Sequence, residues 1–194
     1  MMKSTADYDI LRMRARLALS NCFRTPQALL LRVVGKGRDR EMIAAAATLR
    51  KPVTVKDPKF GTLTLSRASA SFEGRAVWTK RRVRLTLAND DIGSPQQSLQ
   101  HARKLFAAQR TWEPAVRHRI TTTLYKQWNN GWRTELDQTL SRDQFAAKPR
   151  LNSITVEPTG SICFWFDDRD LFAGHSVAVY GKVNKGVTRA SIEG

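Results

Sequence analysis

Asp167, Asp168, Asp170 and His175 bring three carboxylates and an imidazole into one short stretch. Such a set has the chemical means to hold a divalent cation or to move protons. Its spacing matches no defined metal motif such as H-E-x-x-H, and Arg169 sits among the acids as a competing partner. The simpler reading is a loop between strands whose aspartates cap backbone groups, with His175 satisfied at the start of a strand. Neither a metal nor a cofactor is expected. No G-x-S-x-G elbow is present for a nucleophilic serine. Cys163 lies beside Phe164 in an apolar strand, where a thiolate is disfavoured, and Cys22 reads as a core residue ending an amphipathic helix. His118, between Arg117 and Arg119, falls off an apolar helix stripe and reads as exposed. Gly35-Lys36-Gly37-Arg38 lacks the length and flanking strand of a phosphate loop. No catalytic constellation emerges, and the chain reads as a non-enzyme.

The basic stretch after Trp78 is the stronger candidate for binding. Lys80, Arg81, Arg82 and Arg84 follow the indole closely, and Arg82 and Arg84 share one face of a strand about 7 Å apart. Such a face suits carboxylates on a partner protein. It equally suits phosphates, with the aromatic stacking a base, or simple solvation of an edge strand charged against aggregation.

Charge sets the wider frame. The 194 residues carry 33 Lys+Arg against 17 Asp+Glu, a net charge of +16, which attracts an acidic partner without naming it. The excess is spread over residues 1–150, with 12 basic and 4 acidic residues in 1–56 and 17 and 8 in 57–150; residues 151–194 hold 4 and 5. The longest apolar run, Met42 to Ala47, is far short of the roughly 20 residues of a bilayer span. Asp7, Asp9, Arg12, Arg14 and Arg16 interrupt any signal-peptide core. A cytoplasmic protein with no membrane association is expected.

These residues need elements to place them. Ile10, Met13 and Leu17 at helical spacing predict a first helix. Thr25-Pro26 reads as the start of a second, ending near Gly35 or Gly37, and an Ala-rich third runs from Asp39 to Leu49. From Val53 the alternation changes to strands: Leu63 and Leu65, then Phe72 to Gly74, Ala76 to Trp78, and Val83, Leu85 and Leu87. Short turns make this an antiparallel meander with one apolar and one basic, wet face. Ser94 to Gln97 reads as a capping box opening a helix. Trp112, Val116, Ile120, Leu124 and Trp128 form an i,i+4 row facing a core. Ser141 with Gln144 is a second capping box. Residues 151–156, 161–166, 176–183 and 187–192 predict C-terminal antiparallel strands, with Phe164-Trp165-Phe166 central and covered on both faces. The fold class is α+β, with a helical N-terminal region over residues 1–50 and an α+β domain over 51–194.

From about residue 45 onward the chain resembles DUF2262, a family of uncharacterised bacterial proteins. The likeness rests on Lys51-Pro52-Val53, Asp57-Pro58, Phe60 to Leu63, Phe72-Glu73-Gly74 and Val83 to Leu87. It continues through Asn129-Asn130-Gly131-Trp132, Ser141 to Phe145, Ser153 to Val156, Asp168, and Asp170-Leu171-Phe172-Ala173-Gly174-His175. It ends on Ile192-Glu193-Gly194. The family commonly has an aromatic where Ala173 stands. Domains of this look are often encoded beside secreted toxins as immunity proteins, so the resemblance implies a toxin-neutralising role; the basic balance makes the expected toxin acidic and the expected mechanism occlusion through a basic face. The partner-binding residues expected are Trp78, Lys80, Arg81, Arg82 and Arg84. Sequence-tolerant nucleic-acid binding is the alternative. Sequence-specific DNA reading is disfavoured, because the third helix is nearly all alanine and lacks base-reading side chains. A metal-assisted enzyme built on Asp168, Asp170 and His175 ranks third.

Overall fold

A computed structural model describes residues 7–18, 27–134 and 138–194. The chain divides into two compact units, residues 1–52 and 53–194.

The N-terminal unit corrects the helical expectation for residues 1–50. It contains a two-stranded antiparallel sheet, β1 (Leu11–Ala18) and β2 (Gln27–Lys36), followed by one helix, α1 (Arg40–Arg50). The segment Leu11-Arg12-Met13-Arg14-Ala15-Arg16-Leu17 fits a period of two as well as one of 3.6. Pairing with β2 decides between them, with Met13 opposite Val33, Ala15 opposite Leu30 and Leu17 opposite Ala28. The proposed second helix is instead β2, whose Leu29, Leu30, Leu31, Val33 and Val34 suit a strand. Thr25-Pro26 and Cys22 lie outside the described residues. The third helix forms where expected: Asp39 Oδ1 accepts the Met42 amide at 2.8 Å as its N-cap. The Arg50 guanidinium ties the helix to Tyr8 O and to Asp9.

The second unit is an eight-stranded mixed sheet in the order β10-β9-β8-β7-β6-β5-β4-β3. Strands β3 (Thr54–Asp57), β4 (Gly61–Ser66), β5 (Ser71–Trp78) and β6 (Arg81–Ala88) form the expected antiparallel meander. So do β7 (Arg150–Val156), β8 (Ser161–Asp167), β9 (Ser176–Lys182) and β10 (Gly186–Glu193). The two meanders join through a parallel β6–β7 pair, Arg84 opposite Ser153 through Leu87 opposite Val156. The helices supply the crossover a parallel pair requires: α2 (Gln96–Ala107), α3 (Gln109–Gln127), a π-helical turn (Trp128–Trp132) and α4 (Arg142–Ala147).

Inward residues of the strands meet one stripe of each helix. Val83, Leu85 and Leu87 of β6 are buried and alternate with exposed Arg82 and Arg84. The row Trp112, Val116, Ile120, Leu124 and Trp128 is buried throughout. β8 is interior in the sheet, and Phe164 and Phe166 are fully buried, but Trp165 on the other face is only half-buried; the expected covering of both faces is not seen there. The Ser141–Gln144 capping box is present in both directions. The Ser94 box is not. Asp90 Oδ1 takes the Ser94 amide at 2.7 Å to close a turn, and α2 starts after Pro95 with no side-chain cap.

Candidate anion-binding groove

The basic stretch sits on a two-residue hairpin turn. Trp78 pairs with Arg81, so Thr79 and Lys80 are the two turn residues, and both have left-handed backbones (φ 43° and 81°). Asn-Gly is the usual choice for such a turn, since side chains, β-branched ones above all, resist positive φ. The turn is held from outside: the Thr79 amide donates to Gln109 Oε1 at the start of α3, 2.8 Å away.

Trp78 is not a surface residue, which corrects its assignment as a partner contact. It is 1% exposed and meets Phe106 and Phe164 edge-on at 5.1 and 5.3 Å. Its Nε1 donates to Glu113 Oε2 at 2.6 Å. The other Glu113 oxygen accepts Arg117 Nε at 2.8 Å. Arg117 Nη1 then donates to Ala146 O (3.0 Å) and Pro149 O (2.6 Å), with its guanidinium 5.0 Å over the Phe166 ring. Arg117 therefore bolts α3 to the connection between α4 and β7. It also satisfies two carbonyls that would otherwise repel an anion there.

That bolt fixes Lys148 and Arg150 beside the hairpin turn. Arg81, Arg82, Lys148, Arg150 and Arg169 line a recess of about 610 Å³, with Ala147 and Leu151 as its apolar lining. A recess of about 400 Å³ adjoins it at Arg81 and reaches Glu113 and Asp143. Another of about 260 Å³ adjoins it at Arg82 and reaches Arg75 and Asp167. Together they form one groove, basic in the middle and with an acid toward each end. Arg169 lies 3.6 Å from Asp167. Among the described residues, Arg75, Arg81, Arg82, Arg84, Lys148 and Arg150 form no ion pair. Arg75 even stands directly across from Arg84 in the β5–β6 register, a like-charge pairing that costs stability unless an anion intervenes. Lys80 is exposed at the turn tip.

The residues that carry the family resemblance do structural work. Phe72 is buried; Glu73 accepts from Ser69 Oγ at 3.3 Å. A Cβ on Gly74 would lie 2.5 Å from Leu63 Cδ2, so the fully buried Leu63 side chain occupies the space that a larger residue would need. Asp168 is 5% exposed, and its Oδ2 accepts the amides of Phe172 (2.7 Å) and Gly174 (3.2 Å). It holds a loop in which Arg169, Asp170, Ala173 and Gly174 all have positive φ. Asp170 is exposed. Trp132, from the π-helical turn, meets Phe172 and His175 edge-on at 5.6 and 5.4 Å. Two distant motifs thus meet at His175, through packing. Among the described residues no three ligand-type side chains are grouped to hold a metal.

Cys163 is buried on the sheet. Its thiol is pushed up to about 12, first by burial and then by the nearby Glu193 charge, with the Tyr180 hydrogen bond and Arg189 opposing. It is no nucleophile at neutral pH. His118 is exposed on α3.

Of the basic residues marked in the sequence, Arg81 and Arg82 line the groove and Lys80 and Arg84 do not; Arg75, Lys148, Arg150 and Arg169 line it and were not marked. Those four come from β5, the end of α4, β7 and the β8–β9 loop. The β6–β7 pairing gathers them, and no local spacing signals it.

Residues 57–192 match the family model DUF2262, described as an uncharacterized protein conserved in bacteria. No curated protein and no solved structure matches the chain.

Proposed function

The chain belongs to the DUF2262 family of bacterial proteins, and from that premise we propose that it is a non-enzymatic binding protein that docks an acidic protein, a cognate toxin, and neutralises it by occlusion in the cytoplasm. The observation that carries this reading is the groove of uncompensated cations around Arg81, Arg82 and Arg150. Unpaired guanidiniums on one face steer an acidic partner and present bidentate donors to its carboxylates. Asp143 and Asp167 toward the ends of the groove favour a protein of mixed charge over a uniformly negative strand. The burial of Trp78 removes the stacking platform that single-stranded nucleic acid would use, so nucleic-acid binding stands second, supported by the same arginines alone. No described helix is long and apolar enough to cross a membrane.

The test is co-expression with the product of the neighbouring gene in the native host, together with purification of the complex. The wild-type chain should protect growth and co-purify with an identified acidic protein. Arg82→Glu with Arg150→Glu should slow association about tenfold or more, by loss of electrostatic steering. Recovery of nucleic acid in place of a protein partner, or full protection by the charge-reversed chain, refutes the reading.

A further inference from the structure

We infer that the recess between the β5–β6 turn and the start of β7 is a binding site for a small polyphosphate-class anion. The inference rests on the reading of the groove as unbalanced positive charge and adds the chemistry of what fits its centre. Four cationic side chains that form no ion pair among the described residues, Arg81, Arg82, Lys148 and Arg150, line a volume of about 610 Å³ together with Arg169, which is held by Asp167 at its edge. A partner's carboxylates bring one negative charge each and meet these cations one at a time. Two or three linked phosphoryl groups deliver three or four charges within a few ångströms and present oxygens on every side. Guanidinium forks bind such oxygens bidentately.

The surroundings suit an oxyanion as well. The carbonyls of Ala146 and Pro149, which flank Ala147 and Lys148 in the chain, are taken by Arg117 Nη1. Arg117 is itself held by Glu113, whose other oxygen is bound to Trp78 Nε1. The Thr79–Lys80 turn that aims Arg81 is fixed by Gln109. The backbones that carry Arg81, Lys148 and Arg150 are therefore held next to one another by side chains of α3. Ala147 and Leu151 are the apolar residues of the lining, and the rest of it is cationic.

The probe is sodium pyrophosphate, titrated calorimetrically into the full chain at constant ionic strength, with orthophosphate and sulfate in parallel. Binding should be one to one, and orthophosphate and sulfate at least tenfold weaker. Arg82→Gln with Arg150→Gln should lower pyrophosphate affinity tenfold or more. Lys56→Gln, an exposed residue on the far edge strand, should leave it unchanged; circular dichroism confirms that each variant is folded. Pyrophosphate binding no tighter than sulfate, or equal losses in the Lys56 variant, overturns the proposal. Absence of a protein partner together with pyrophosphate binding refutes only the toxin-docking function, and the reverse result refutes only the polyphosphate site.

Discussion

Asp57 is the buried acid whose removal has the most legible cost. It is 4% exposed at the end of β3. Oδ1 accepts the amides of Lys59 (2.8 Å) and Phe60 (2.9 Å), and Oδ2 accepts Arg103 Nε (2.9 Å) and Nη2 (2.6 Å) from α2. Burial pushes its pKa up, but the Arg103 hydrogen bonds, the Phe60 and Lys59 amides and the Arg103 charge outweigh it, so the net shift is downward. Asp57→Asn keeps an acceptor for the two amides and turns an NH₂ toward the guanidinium. Two hydrogen bonds to a charged group, at about 1.5–3 kcal/mol each, are lost. The Arg103 side chain is 49% exposed and regains water, which halves the loss or better, to about 2 kcal/mol. For a unit of this size that lowers Tm by about 6–10 °C at pH 7. The sign with pH follows from the lowered pKa: the stabilisation is fully present above the unfolded value near 3.9 and is lost as pH falls through the folded value. Thermal melts by circular dichroism at pH 7 and pH 3, with an Arg103→Gln cycle, test this. The gap between wild type and Asp57→Asn should shrink at pH 3, and the cycle should show coupling of about 1 kcal/mol or more. A gap under about 0.5 kcal/mol at pH 7, or one that widens in acid, refutes the reasoning.

Gly74→Ala should destabilise by about 1–3 kcal/mol, because Leu63 is fully buried and has no room to retreat from the new methyl; an unchanged urea midpoint contradicts this. Trp78→Phe removes the donor to Glu113 while keeping most of the ring packing and should cost about 1–2 kcal/mol, read from the same unfolding curve; a neutral result would show that Arg117 alone holds Glu113. In a Cys22→Ser background, Cys163 should react with a disulfide reagent at pH 8 on the order of a thousandfold more slowly than a free thiol, since its pKa is pushed up to about 12. Labelling within minutes counts against that burial.

Much of the larger unit was legible in the chain. The Val83–Leu85–Leu87 alternation and the Trp112 to Trp128 row reported burial directly, because period and side-chain direction are local properties. The N-terminal unit was misread because Leu11 to Leu17 satisfies both periods, and only the partner strand separates them. The site was half legible. Charge and spacing marked Arg81, Arg82 and Arg84, but they placed Trp78 beside them on the surface, since spacing along a strand does not say which face meets the helices.

Sequence alone determined the α+β class, the helix stripes, the Ser141 capping box and the sign of the unbalanced charge. These depend on neighbours within a few residues, where sterics and hydrogen bonding act without knowledge of the rest. Tertiary structure decided the join of two meanders through a parallel β6–β7 pair. It also decided the burial of Trp78 against Glu113 and the meeting of Arg75, Arg82, Lys148, Arg150 and Arg169 in one groove. Charges separated by many tens of residues repel or converge only once register and crossover set their distance, and that distance is a property of the folded chain.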